Sequence, residues 1–414
     1  AMVSSAGEAA VSAVSLVDAI NLLFITIFSG MANGGSVVTS QYIGKRDYKH
    51  ASVSANQLLY ICTAISICLM AVLLCLRDPL LRLIYGTIEE DVFTNCKVYF
   101  LFTLLGYPFV AIGSSAGAVL RSMGKNRQAV SITILYNILN VIGNAVLIYG
   151  CKLGVAGAAI STTVSRVAYA GLGLWLAHNK QLPARFENIL KFRLDFDVMR
   201  RVVRIGAVNG MDNSVFYVGK ILITSLISTL GTVAVAANSV ANPINNIGWT
   251  IVGSFGFVLL PVVGQCVGAG QPEQAKQNVK KLLSAATVIM VTLFTTVFLL
   301  RNQLVRIFDF EEAAMKASAY YTGVMALSSI FSFYSFAFVP NHAFRAAGDM
   351  RYPSMLTLSS MFVFRVGLSY VLYWIFPDIG LMCVCIAQWA DWFFRAVMNV
   401  IHYTSGKWLK KCLV

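Results

Sequence analysis

The 414-residue chain is 57% hydrophobic and 12% charged, with a net charge of +14 and a mean hydropathy of +0.71. Soluble domains hold about 45–50% apolar and about 25% charged residues, so this composition excludes a soluble globular protein and points to one embedded in a lipid bilayer. It also argues against a nucleic-acid partner, because the basic residues sit in short loops between apolar stretches instead of grouping on one soluble face.

A hydrocarbon core roughly 30 Å thick takes about 20 helical residues to cross. Apolar stretches of that length or more occur at 9–40, 51–76, 93–120, 127–150, 154–178, 203–230, 234–266, 275–300, 313–343, 351–376 and 379–403, which predicts eleven helices. Loops such as GKRDYKH and GQPEQAK punctuate them with glycine, proline and charge. The longest polar stretch, 179–202, reads as a linker with room for a short amphipathic helix on the membrane surface. It divides the chain into 1–178, 179–202 and 203–414. Cys62, Cys68, Cys75 and Cys266 lie inside apolar stretches, where a free thiol behaves as a small hydrophobe. Only Cys383 and Cys385 are closely spaced, with no histidine near in sequence, so neither a metal, a resident cofactor nor a disulfide framework is expected.

Basic residues resist translocation across a membrane. One set of loops together with the C-terminus collects 21 Lys and Arg, against seven on the other face. This predicts a multi-pass protein of the cell membrane with a cytoplasmic C-terminus.

The heptapeptide RSMGKNR, Arg121 to Arg127, returns as RAAGDMR, Arg345 to Arg351, 224 residues later. The same offset aligns Ser4, Gly7, Ile20, Asn21, Gln41 and Gly44 with Ser228, Gly231, Ile244, Asn245, Gln265 and Gly268. About two extra residues then place GVAGAA, from Gly154, opposite GLMCVC, from Gly380. The chain is an internal duplication. In this register Ala1 falls opposite Ser225, so the first copy is expected to lack most of its opening helix and the intact protein to have twelve. An even number of helices per copy orients both alike, which predicts an all-α integral membrane fold of two six-helix lobes related by a pseudo-twofold axis along the membrane normal.

VVTSQYIGKRDYKHA, LPVVGQCVGAGQPEQAK, the paired R-x-x-G-x-x-R turns, YNILNVIGNAVLIYG and the terminal DWFFR together resemble the multidrug and toxic compound extrusion (MATE) transporters. The resemblance covers essentially the whole chain. It implies two lobes around a V-shaped cleft and export of small organic molecules, with H+ or Na+ as the coupling ion, and no enzymatic activity. An amphipathic cationic substrate and a monomer are the corresponding expectations. Alternatives are a lipid-linked precursor flippase of the same superfamily, which should have a strongly basic cleft and extra helices, and a non-transporting receptor or scaffold.

An ionisable group inside a span costs about 2.5–3.5 kcal/mol to insert, so each is a functional candidate. Asp18, Arg166, Asp212, Lys220, Arg365, Asp391 and Arg395 qualify. Asp212 lies nine residues beyond Val203, roughly 14 Å along a helix, which predicts mid-depth and makes it the first candidate for binding the coupling ion; Lys220, eight residues on, projects on nearly the same face. Mutual charge compensation through neighbouring groups is the plainer reading of that pair. Asp391 and Arg395 are four apart and meet on one helix face, with Arg365 at similar depth on the preceding helix. A structural triad and a proton relay both fit them. Asp18 occupies the slot of Asn242, beside the matching pair Asn21 and Asn245, and these polar groups would face the family's cleft.

Asn140 and Asn144 share a face of the helix after RSMGKNR. Some archaeal family members carry Asn and Asp at matching spacing in a first-lobe cation site, but Asn144 cannot titrate. Another branch pairs an acid on the seventh helix with one on the tenth, and here no acid lies between Lys316 and Arg345. The tenth span is aromatic instead. Of its rings, Tyr334 and Phe338, with His342, are the candidates for substrate contact, against plain packing or lipid exposure as the alternative. Pro261 and Pro340 are expected to bend their helices.

Overall fold

A backbone in hydrocarbon must satisfy its own N–H and C=O groups, so an apolar span folds as a helix. The computed structural model describes residues 8–85, 90–187, 189, 194–308 and 312–410, and each of the eleven predicted spans is helical in it. The helices are α1 (Glu8–Gly44), α2 (Tyr48–Cys75), α3 (Arg77–Tyr85), α4 (Glu90–Leu105), α5 (Tyr107–Ser122), α6 (Asn126–Asn144), α7 (Gly154–Ala177) and α8 (Phe196–Thr229). There follow α9 (Thr232–Gly268), α10 (Pro272–Arg306), α11 (Glu312–Phe331), α12 (Tyr334–Ala346), α13 (Arg351–Ser360), α14 (Leu368–Ile375) and α15 (Met382–Ser405). Among the described residues, six helices are long and apolar enough to cross a membrane, or eight if each of two bent pairs is one span. The other three predicted spans, on α7, α8 and α15, carry Arg166, Asp212, Lys220, Asp391 and Arg395.

The chain divides into two compact units, Ala1–Gly210 and Met211–Val414. The division falls inside α8, downstream of the polar stretch 179–202, whose last residues already belong to that helix. In the first unit α1 packs on α2, α4 and α5, and α5 packs on α7; in the second, α9 packs on α10, α11 and α12, and α12 packs on α15. The duplicated sequence therefore builds the same set of contacts twice.

The turns repeat in their hydrogen bonds. Between α1 and α2 the amide of Asp47 donates to the carbonyl of Tyr42 at 3.0 Å, and between α9 and α10 that of Gln271 donates to Cys266 at 2.9 Å. The residue that reverses the chain is Arg46 at φ 63° in the first turn and Gly270 at φ 68° in the second. A left-handed backbone crowds the Cβ of an L-residue. Arg46→Gly is accordingly predicted to raise thermal stability in detergent by about 0.5–1 kcal/mol; an unchanged or lower melting temperature would refute the strain. Asp47 then caps α2, and the amide of His50, 3.1 Å away, holds its carboxylate below the ordinary range.

Two predicted spans are broken. The span 93–120 bends by 43° between α4 and α5, and 313–343 bends by 54° between α11 and α12. The second bend does not lie at Pro340, which sits within α12, but at Phe333, whose φ of 53° ends one helix and starts the next. Pro261 likewise lies inside α9, which continues past it as one helix to Gly268.

Within the first unit α1 meets the start of α8 through Gly30, Gly34, Gly206 and Gly210. A Cβ on Gly34 would stand 2.6 Å from the backbone nitrogen of Gly206, and one on Gly30 would stand 3.0 Å from that of Gly210. Small residues four apart let two backbones approach this closely. Because the obstacle is backbone, Gly34→Val is predicted to force the helices apart at a cost of about 1–3 kcal/mol, read as a lowered melting temperature; wild-type stability would show that the contact is not tight.

Candidate functional site

Three polar centres are built on the helices. In the second unit Asp391 of α15 is fully buried and receives Nε of Arg395 at 2.7 Å, one helical turn away. Arg365 stands 3.9 Å from the other carboxylate oxygen and donates to Oε1 of Gln388 at 2.6 Å. Arg365 reaches them from a π-helical turn, Met361–Gly367, inserted between α13 and α14. The predicted juxtaposition of these three residues is therefore present.

Asp212 is also buried, but its partners are not the expected ones. Its carboxylate takes Nη2 of Arg345 at 2.5 Å and the hydroxyl of Ser354 at 2.7 Å. Arg345 lies in the last turn of α12 and Ser354 in the first turn of α13, so Asp212 ties α8 to the two helices that flank the RAAGDMR turn. α8 starts at Phe196, seven residues before Val203, and Asp212 falls near the middle of its 34 residues. Lys220 is exposed and forms no ion pair among the described residues. Arg345, from the repeated basic turn, is the countercharge of Asp212.

The first unit holds the third centre. Asp18 is exposed, and its Oδ1 accepts from the hydroxyl of Tyr99 at 3.1 Å and from the amide of Asn21 at 3.4 Å. Tyr107 donates to Oδ1 of Asn21 at 3.0 Å, which carries the network one step deeper. Arg166 is buried and donates to the carbonyl of Thr103 at 2.8 Å. Space for it comes from Gly106, where a Cβ would stand 2.7 Å from Cδ of the arginine. No cation lies within ion-pair distance of Asp18 among the described residues. Asn140 and Asn144 bond each other at 3.1 Å and Asn140 donates to Thr162 at 3.2 Å, tying α6 to α7; Thr162 in turn hydrogen-bonds with Tyr99, the partner of Asp18.

A cavity of about 730 Å³ opens within the second unit. Its aromatic wall is Trp249, Tyr334, Phe338 and Trp392, with ring centroids of successive neighbours 4.6–5.3 Å apart. His342 lines it too, lodged against the Cβ-less face of Gly256. Tyr320, Phe331 and Phe333, from the same aromatic span, are exposed at the protein surface, because the break at Phe333 turns only part of the stripe inward. Asn245 does not line the cavity: it is fully buried, with its amide on the carbonyl of Ala241 at 2.9 Å. The lining asparagines are Asn238, Asn242 and Asn246, at the four-residue spacing that shares a helix face. That spacing is visible in the sequence and was the missed signal. A groove of about 800 Å³ in the first unit, between α2 and the segment that includes Arg185 and Glu187, is larger but contains none of the in-span charges.

A family model described as MatE matches residues 1–146 and 210–371. The chain belongs to the MatE family. This MatE chain is 27% identical to an uncharacterized transporter, YisQ, of Bacillus subtilis strain 168, over 99% of its own length and 90% of the relative's. It is 22% identical to a probable multidrug resistance protein, NorM, of Thermotoga maritima, covering 98% and 87%. A crystal structure of MATE in the bent conformation superposes with a TM-score of 0.92 at 20% identity, over 99% of this chain and 90% of that one. The fold is thus the all-helical fold of MATE transporters, and the protein is a multi-pass membrane transporter of small organic molecules, not an enzyme.

Proposed function

We propose that this MatE chain is a secondary antiporter that exports amphipathic organic compounds in exchange for H+ or Na+ by alternating access. It would act as a monomer in the cell membrane, with its basic loops and C-terminus on the cytoplasmic side. The observation that carries the coupling half of this reading is the difference between its three candidate acids. A ligand shifts a conformational equilibrium only by binding one state better than the other. Asp212 and Asp391 already have guanidinium partners at 2.5 and 2.7 Å, which would compete with any arriving cation. Among the described residues Asp18 has a phenol and an amide as partners and no guanidinium, which leaves its carboxylate open to an arriving cation. Asp18 is therefore the preferred coupling group.

The name of the Thermotoga relative, a probable multidrug resistance protein, supports organic compounds as the cargo. The test is flux in proteoliposomes loaded with either a cationic or an anionic organic dye. Export should accelerate when an inward H+ or Na+ gradient is imposed, and should stop when the gradient is dissipated. If neither dye moves under either gradient, the antiport reading fails and a receptor or scaffold role takes its place.

A further inference from the structure

The cavity of the second unit is lined by two cations, Lys220 and Arg365, and by no acid among its described residues. The nearest carboxylate, Asp391, is fully buried behind the wall and bonds to Arg395, so the cluster of one acid and two guanidiniums leaves one positive charge uncompensated. Lys220 adds a second. Asp212 and Asp349, the other buried acids described in the unit, lie outside the lining and are matched by Arg345 and His402.

Three lining side chains also carry buried N–H groups with no hydrogen-bond acceptor among the described residues: Nη1 of Arg365, which stands 3.9 Å from Asp391, Nε2 of Gln388 and Nε1 of Trp392. A donor left unmade in a low-dielectric site costs free energy that an incoming acceptor recovers. All three lie on α15 or the π-helical turn beside it. A π-helical turn inside a helix is a frequent mark of a functional site.

The aromatic faces point the same way. An organic cation binds by sitting over such a face, but Arg365 already stands 5.5 Å from the ring centre of Trp392, and Arg395 stands 5.4 Å from that of Phe338. The positions that would attract a cation are taken by guanidiniums, which would repel it.

We infer that the cavity binds an aromatic carboxylate, its ring system against Trp249 and Tyr334 and its acid group between Lys220 and Arg365. This rests on the export reading only for its role in transport, and it reverses the cationic substrate expected from the sequence. Arginine supplies the planar pair of donors that suits a carboxylate, and Lys220, on the exposed side, supplies a point charge at the mouth.

The test uses two xanthene dyes of nearly the same shape and opposite charge, fluorescein and rhodamine 123, with the full chain in nanodiscs and no ion gradient. Fluorescence polarisation, with empty nanodiscs as background, should show fluorescein bound at least about tenfold more tightly than rhodamine 123. Lys220→Glu, at an exposed position where folding is not at stake, should weaken fluorescein binding by about tenfold or more and narrow or reverse the preference. Equal or tighter binding of rhodamine 123, no binding of fluorescein, or indifference of fluorescein to Lys220→Glu each overturns the assignment. Because no gradient is applied, a failure here is separate from a failure of antiport: binding of fluorescein does not require transport, and transport of rhodamine 123 does not require an anion-selective cavity.

Discussion

Asp391→Asn is expected to destabilise the protein by about 3–5 kcal/mol, the usual cost of removing one partner from a buried ion pair. The carboxylate is fully buried and is the described acid within 4 Å of two guanidiniums. Its loss leaves Arg395, itself 1% exposed, with the carbonyl of Thr357 at 3.4 Å as its one further acceptor among the described residues. A neutral amide in the same place accepts a hydrogen bond but returns none of the charge. The measurement is the melting temperature in detergent, together with the yield of monodisperse protein. Pairing the change with Arg395→Met should recover a large part of the loss, because a cation no longer has to be buried alone. If Asp391→Asn melted like the wild type, the cluster would contribute nothing to stability and Asp391 would return as a candidate for coupling.

Asp18→Asn is expected to reduce gradient-driven export by at least about tenfold while leaving stability and dye binding close to wild type. The physical reason is that an asparagine binds neither a proton nor a sodium ion as a carboxylate does, so the gradient has no differential affinity to act through. The exposed side chain makes two hydrogen bonds, to Tyr99 and Asn21, and an amide oxygen can accept both. Flux and equilibrium binding must therefore be measured on the same preparation. Full gradient-driven export by Asp18→Asn would remove coupling from this position and move it to Asp212, where the variant Asp212→Asn would be the next to test. Retained binding with lost flux is the outcome that separates coupling from mere structural damage, since Asp391→Asn is expected to lose both together.

How much of this was legible in the sequence differs from group to group. The eleven spans were readable because hydrophobic length is a direct consequence of bilayer thickness. The Asp391–Arg395 contact was readable because a four-residue spacing on a helix determines proximity without any tertiary information. The start of α8 was not readable, because the polar residues before Val203 extend it to Phe196 without an apolar signal. The partner of Asp212 was missed for a different reason. Arg345 belongs to a turn whose basic residues look alike in both copies, yet only packing shows that it turns inward onto Asp212.

The amino-acid sequence by itself determined that the chain crosses a membrane repeatedly as helices, that one half repeats the other, and which charges lie inside the spans. These follow from composition, from a constant offset and from helical periodicity, all of which are local or linear properties. Tertiary structure alone decided which acid keeps a countercharge and which does not, where the aromatic span breaks at Phe333, and that the cavity of the second unit is lined by cations while its nearest acid stands behind the wall. Electrostatic balance is a sum over neighbours in space, and α9, α12 and α15 bring together residues that lie more than a hundred positions apart in the chain.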